Sequence, residues 1–193
     1  MAVPALLLLA GAAAALEYRS YRKKVQAQRY RPPSQANGLM LGPSQWIPGQ
    51  RSVVPVPGAV VVCHVFGVVE HTGIWLGSNA IAELHGSGLV RAVSPKRFLH
   101  GRSGARIFVC CDRLHAPLIQ QDAVQRAVAS LFTYRDYHLR HNNCHRFIWH
   151  CLTGQEQKIT SFSQFNLLLS QLFDTGLYWD PCELLEASGG PME

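Results

Sequence analysis

The sequence predicts an α+β protein, an antiparallel β-meander packed on helices, with an apolar helix at the N-terminus. Two patterns predict it. Between Ala59 and Cys110, short β-branched runs alternate with Gly-, Ser- and Asn-rich turns. Beyond Gln121 the apolar residues recur at helical spacing instead. Strands followed by helices, rather than strands alternating with helices, are the signature of an α+β domain. At 193 residues, 48% hydrophobic and 16% charged, the chain has enough apolar material for one domain with a real core, and wholesale disorder is excluded.

The chain opens with an uncharged apolar run, Ala2 to Leu16. As a helix it spans about 22 Å, less than the ~30 Å of a hydrocarbon core. Arg19, Arg22, Lys23, Lys24, Arg29 and Arg31 follow it. Positive charge after the run and none before it favours a membrane anchor with the domain in the cytoplasm. A cleaved signal peptide, which places the domain in a secreted or periplasmic setting, is the alternative, and a buried helix or organelle leader the third. Most of the formal net charge of +6 resides in this flank, so no nucleic-acid-binding face is expected. Residues 1–31 therefore read as anchor or signal with its basic flank. Residues 32–57, rich in Pro, Gly, Ser and Gln, read as a linker or irregular cover in which Trp46 and Ile47 are packing anchors. Residues 58–180 form the domain and 181–193 a tail.

Within the domain, Pro57-Gly58 marks a turn and Ala59–Phe66 a strand. His71–Leu76 and Ala80–His85 are two strands joined by a hairpin turn at Gly77-Ser78-Asn79. Leu89–Val93 follows after a second turn, then a Pro-led element at Pro95, then a buried strand at Ala105–Cys110. Gln121–Phe132 is an amphipathic helix. Asn142 and Asn143 are good N-caps for the next one, where Cys144, Phe147, Ile148, Cys151 and Leu152 share a stripe and Gly154 ends the helix. Ser161–Phe173 gives a last amphipathic helix.

Chemistry concentrates in "RHNNCHRFIWHCLTG". A thiol in the first turn of a helix meets unpaired N–H groups and the positive end of the dipole, both favouring thiolate. A nucleophile also needs a base and a group to orient it. His145 is a poor base, since adjacent helical residues point apart. His71, opening its strand, is the better one. Glu83 and His85 on the neighbouring strand are the two candidates to hold its ring. Zinc is the chemical rival, with His141, Cys144 and His145 joined by Cys63 or His64, but the spacings match no familiar ligand pattern. Six cysteines without a CxxC, and Cys110-Cys111 in a buried strand, favour free thiols. No phosphate-binding glycine loop is present, so no cofactor is expected.

"EHTGIWLGSNAIAELHGSG" followed by "NCHRF" resembles the lecithin–retinol acyltransferase-like group of circularly permuted papain-like (NlpC-type) cysteine enzymes, over roughly Val56 to Leu152. In that group a His opens a strand of the form H-x-G/A-I-Y-V-G, a polar residue follows 12 positions later, and an N-C-x-H-F helix start supplies the nucleophile. The resemblance implies a permuted papain-like fold with Cys144 as nucleophile and His71 as general base. The orienter 12 positions on is Glu83 rather than His, with His85 beside it, and His145-Arg146 replaces the family's Glu-His. The implied chemistry is thiol-dependent acyl transfer or hydrolysis through an acyl-enzyme on Cys144. Acyl-lipids or acyl-thioesters at a membrane would be the substrates, or peptidoglycan amides if the chain is exported. A catalytically silent, membrane-tethered binding module on the same scaffold is the competing expectation.

Overall fold

The computed structural model describes residues 40–43, 52–65, 69–102, 106–138 and 143–184. The apolar N-terminal run, its basic flank, Trp46, Ile47 and His141 lie outside them. Among the described residues, no helix is long and apolar enough to cross a membrane.

The fold is α+β. Its strands are β1 (Met40–Pro43), β2 (Val60–Val65), β3 (Val69–Gly77), β4 (Ala80–Leu84), β5 (Val90–Val93), β6 (Phe108–Cys111) and β7 (Leu177–Pro181). They form one seven-stranded sheet in the order β1-β7-β6-β2-β3-β4-β5. Six of these strands pair antiparallel, and β1 adds to β7 in parallel at the edge. Among the described residues, four helices accompany the sheet: α1 (Pro95–Leu99), α2 (Ala123–Ala129), α3 (Cys144–Thr153) and α4 (Phe162–Phe173).

The run β2–β5 is the expected meander. Its central hairpin turns at Ser78 and Asn79, both with positive φ (47° and 55°), the backbone of a type I′ turn that matches strand twist. β2 is apolar apart from His64 because both of its faces are covered. Val60 and Val62 face the core shared with α2, α3 and α4; Val61 and Cys63 face a second core built around Trp75, Ile81 and Phe98.

Caps fix the helix ends that matter for function. Asn143 accepts the Arg146 N–H and donates to the Ile159 carbonyl at 2.9 Å, so it starts α3 and ties it to the following loop. Gly154, at φ 73°, ends α3 in the left-handed conformation. Arg126 of α2 donates to the Cys151 and Leu152 carbonyls at 2.6 and 2.7 Å, satisfying the open end of the helix.

Two strands depart from the expectation. β1 lies in the segment read as linker, where Val53 is also a core residue bonded to the Pro181 carbonyl. β7 falls in a stretch for which no element was expected. Its Trp179 is fully buried and donates to the Asn166 side chain of α4 at 2.7 Å. α2 is also shorter than its amphipathic pattern, because Ser130 caps it and Phe132 takes positive φ.

Candidate active site

The site is built where the start of α3 meets the start of β3. Cys144 is the first residue of α3 and is 3% exposed; its sulfur lies 3.9 Å from the Glu70 carbonyl. His71, two residues into β3, is 6% exposed and close enough to that sulfur for each to act on the other's ionisation. The other side of its ring is fixed, with Nε2 lying 2.7 Å from Glu83 Oε2.

The register explains this geometry. The β3–β4 ladder sets Glu83 opposite Gly73, one step along the same face from His71. Gly73 has no room for a side chain: a Cβ there would stand 2.5 Å from Ile81 Cγ2 and 3.1 Å from Phe98 Cε2. That space belongs to Phe98 of α1, whose ring packs on the His71 imidazole at 5.1 Å between centroids. The glycine in "HTG" thus lets an aromatic wall close on the histidine.

Continued by two residues, the ladder would set His85 opposite His71. It does not continue. β4 ends at Leu84, and His85 turns away, its backbone N–H bonded to the Leu89 carbonyl and its Nδ1 2.9 Å from Ser87 Oγ. His85 therefore does not meet the His71 ring, and Glu83 is the residue that contacts it.

Glu83 is fully buried but not isolated. Arg91 donates to Oε1 through Nε at 2.9 Å and through its terminal nitrogen at 2.8 Å. Arg102 donates to Oε2 at 2.9 Å, bonds the Phe98 carbonyl and lies over the Phe98 ring. Burial alone would raise the Glu83 pKa, but His71 and the two guanidinium groups outweigh it and hold it at about 2. An ionised carboxylate only accepts hydrogen bonds, so the His71 nitrogen facing it, Nε2, carries the proton. Nδ1 is left to take a proton from Cys144.

The charges reinforce one another. Burial disfavours an imidazolium at His71, yet the Cys144 sulfur and Glu83 raise its pKa above the ordinary value. Burial would likewise raise the Cys144 thiol, but His145 and His71 bring it well below the ordinary range. All six cysteines are free thiols, and the other five are shifted up by burial. Position at the helix start distinguishes Cys144 from Cys151, two turns further along the same stripe, whose pKa burial pushes up to about 12.

Contrary to expectation, His145 does not point away from the sulfur. Its Nδ1 is 3.8 Å from Cys144 Sγ and 3.1 Å from Thr72 Oγ1. Phe162 and Phe165 of α4 wall the ring on its other sides and fold it back toward Cys144. Sequence reasoning also missed Arg91 and Arg102. Arg91 had a signal, since it faces Glu83 across the β4–β5 hairpin; Arg102 had none, because the loop after α1 carries it there.

Among the described residues, no group of three or more His, Cys, Asp or Glu side chains is arranged to hold a metal ion. No family model and no curated protein matches the chain.

Proposed function

We propose that this chain is a thiol-dependent acyl enzyme of the permuted papain-like kind, transferring or hydrolysing acyl groups through an acyl-enzyme on Cys144. The observation that carries the reading is one arrangement: a thiol in the first turn of a capped helix, within reach of a histidine whose far nitrogen is fixed 2.7 Å from a buried carboxylate. The chain order supports it too, with the histidine strand first, the carboxylate strand next and the nucleophile helix last.

The steps follow from the geometry. His71 Nδ1 takes the Cys144 proton, and the sulfur attacks the acyl carbonyl carbon to form a C–S bond. First-turn N–H groups, that of Cys144 among them, have no partner within the helix and stabilise the developing oxyanion. The bond to the leaving group breaks as His71 returns the proton to it. Water or an acceptor nucleophile, deprotonated by His71, then releases the acyl group. Glu83 keeps the ring in the required tautomer and orientation throughout. An acyl-lipid or acyl-thioester is the substrate class that a membrane anchor at the N-terminus would bring within reach.

Labelling of the intact protein with an acyl-type thiol-reactive probe tests this. Labelling should vanish in Cys144→Ala and fall strongly in His71→Ala. Labelling indifferent to both changes would leave the scaffold as a binding module without this chemistry.

A further inference from the structure

The acyl-transfer reading uses one imidazole, but the sulfur has two. His145 reaches Cys144 from its own helix while His71 reaches it from β3, and the second ring is firmly placed. It is 6% exposed, stacks on Phe165 with centroids 5.2 Å apart at 16°, and leans on Phe162 at 5.6 Å. Its Nδ1 has two neighbours, the fully buried Thr72 hydroxyl at 3.1 Å and Cys144 Sγ at 3.8 Å. An imidazole between two phenylalanines carries a desolvation cost that a purely space-filling residue would avoid.

We propose that His145, clamped by Thr72, Phe162 and Phe165, is a positioning residue that keeps the resting Cys144 sulfur ionised, while proton transfer belongs to His71 alone. The division follows from the partners of the two rings. His71 is backed by a carboxylate that stabilises its imidazolium as a proton moves on and off. His145 has a neutral hydroxyl beside it and aromatic walls around it, so its part is to hold Nδ1 beside the sulfur rather than to carry the proton.

The other titratable groups that face the sulfur leave it to these two rings. Cys63 of β2 and Tyr137, in the segment before α3, both interact with Cys144, and burial pushes each up to about 12, so both are neutral at physiological pH. Glu83 and Arg102 act from behind His71. The proposal rests on the thiol reading above, and its test separates the two.

The experiment is the pH dependence of iodoacetamide labelling at Cys144 in the full chain, followed by mass spectrometry of the Cys144 peptide. His145→Phe keeps an aromatic ring against Phe165 and removes Nδ1. His145→Asn restores an amide donor near that position. The wild-type midpoint should lie well below the ~8.5 of a free thiol. In His145→Phe it should rise by about one pH unit or more, because the ring nitrogen that faces the thiolate is gone, and in His145→Asn by less. A folded His145→Phe with an unmoved midpoint overturns the proposal. Should that variant fail to fold, Thr72→Val decides, since it keeps the ring but releases its clamp: an upward shift supports the proposal and an unmoved midpoint overturns it. A wild-type midpoint in the free-thiol range defeats the acyl-enzyme reading itself. A low midpoint that is lost in His71→Ala yet unmoved in His145→Phe defeats only the role of His145.

Discussion

Replacing Glu83 by Gln removes one negative charge from a pocket where it meets three cationic or cation-forming groups. Glu83 is 0% exposed, and the side chains of Arg91 and Arg102 are 21% and 11% exposed. Removing the anion strands two partly buried guanidinium groups, and breaking a buried pair in this way costs about 3–5 kcal/mol. A second route gives the same scale. The carboxyl pKa falls from 4.5 to about 2 on folding. At about 1.4 kcal/mol per unit, that is about 3 kcal/mol of stability held by the ionised form. The sign follows from the depressed pKa: this stabilisation is complete above the unfolded value near 4.5 and is lost as pH falls toward 2. Urea unfolding at several pH values, followed by fluorescence of the buried Trp75 and Trp179, measures it. Glu83→Gln should lose about 3 kcal/mol at pH 7, and its deficit against wild type should shrink below pH 4.5. A double replacement, Glu83→Gln with Arg102→Met, should recover part of the loss because one stranded charge is gone. Equal stability of wild type and Glu83→Gln at pH 7 would refute the reasoning, and so would a deficit independent of pH.

Three further outcomes follow. Gly73→Ala drives a methyl into Ile81 and Phe98; it should cost about 1–3 kcal/mol and slow probe labelling of Cys144, because Phe98 is the wall behind His71. Thermal unfolding and labelling rate, measured on one preparation, check both. Asn143→Ala removes the cap of α3 and the bond to Ile159, and should lower stability by about 1–2 kcal/mol in denaturant titration. His85→Ala should leave labelling of Cys144 unchanged, because His85 engages Ser87 rather than His71; a strong loss would mean that the β4–β5 turn rearranges to bring it in.

What the sequence disclosed was local. The β3–β4 hairpin could be read because Gly77-Ser78-Asn79 carries the turn's backbone demands in its own residue types. α3 could be read because Asn143 and Gly154 are cap residues flanking a helical stripe. Those two elements supply Cys144, His71 and Glu83, so the centre of the site was visible too. What stayed hidden depends on partners distant in the chain. β7 pairs with β6 across a separation that spans α2, α3 and α4, and β1 adds to β7 from the far N-terminal side. His145 was misjudged because helical geometry describes where Cα–Cβ bonds point. The imidazole reaches back only because Thr72 and two phenylalanines of another helix hold it there. Between Glu83 and His85, alternation allowed both; the end of β4 at Leu84 decided it.

The central claim is that Cys144 carries an acyl group during turnover. Intact-protein and peptide mass spectrometry after brief incubation with a medium-chain acyl-thioester tests it directly. The account predicts an acyl adduct on the Cys144 peptide, absent in Cys144→Ala, slow to form in His71→Ala, and discharged when water or an alcohol acceptor is supplied. No adduct from acyl-thioester or phospholipid donors, or acylation spread over the other five cysteines, would contradict it.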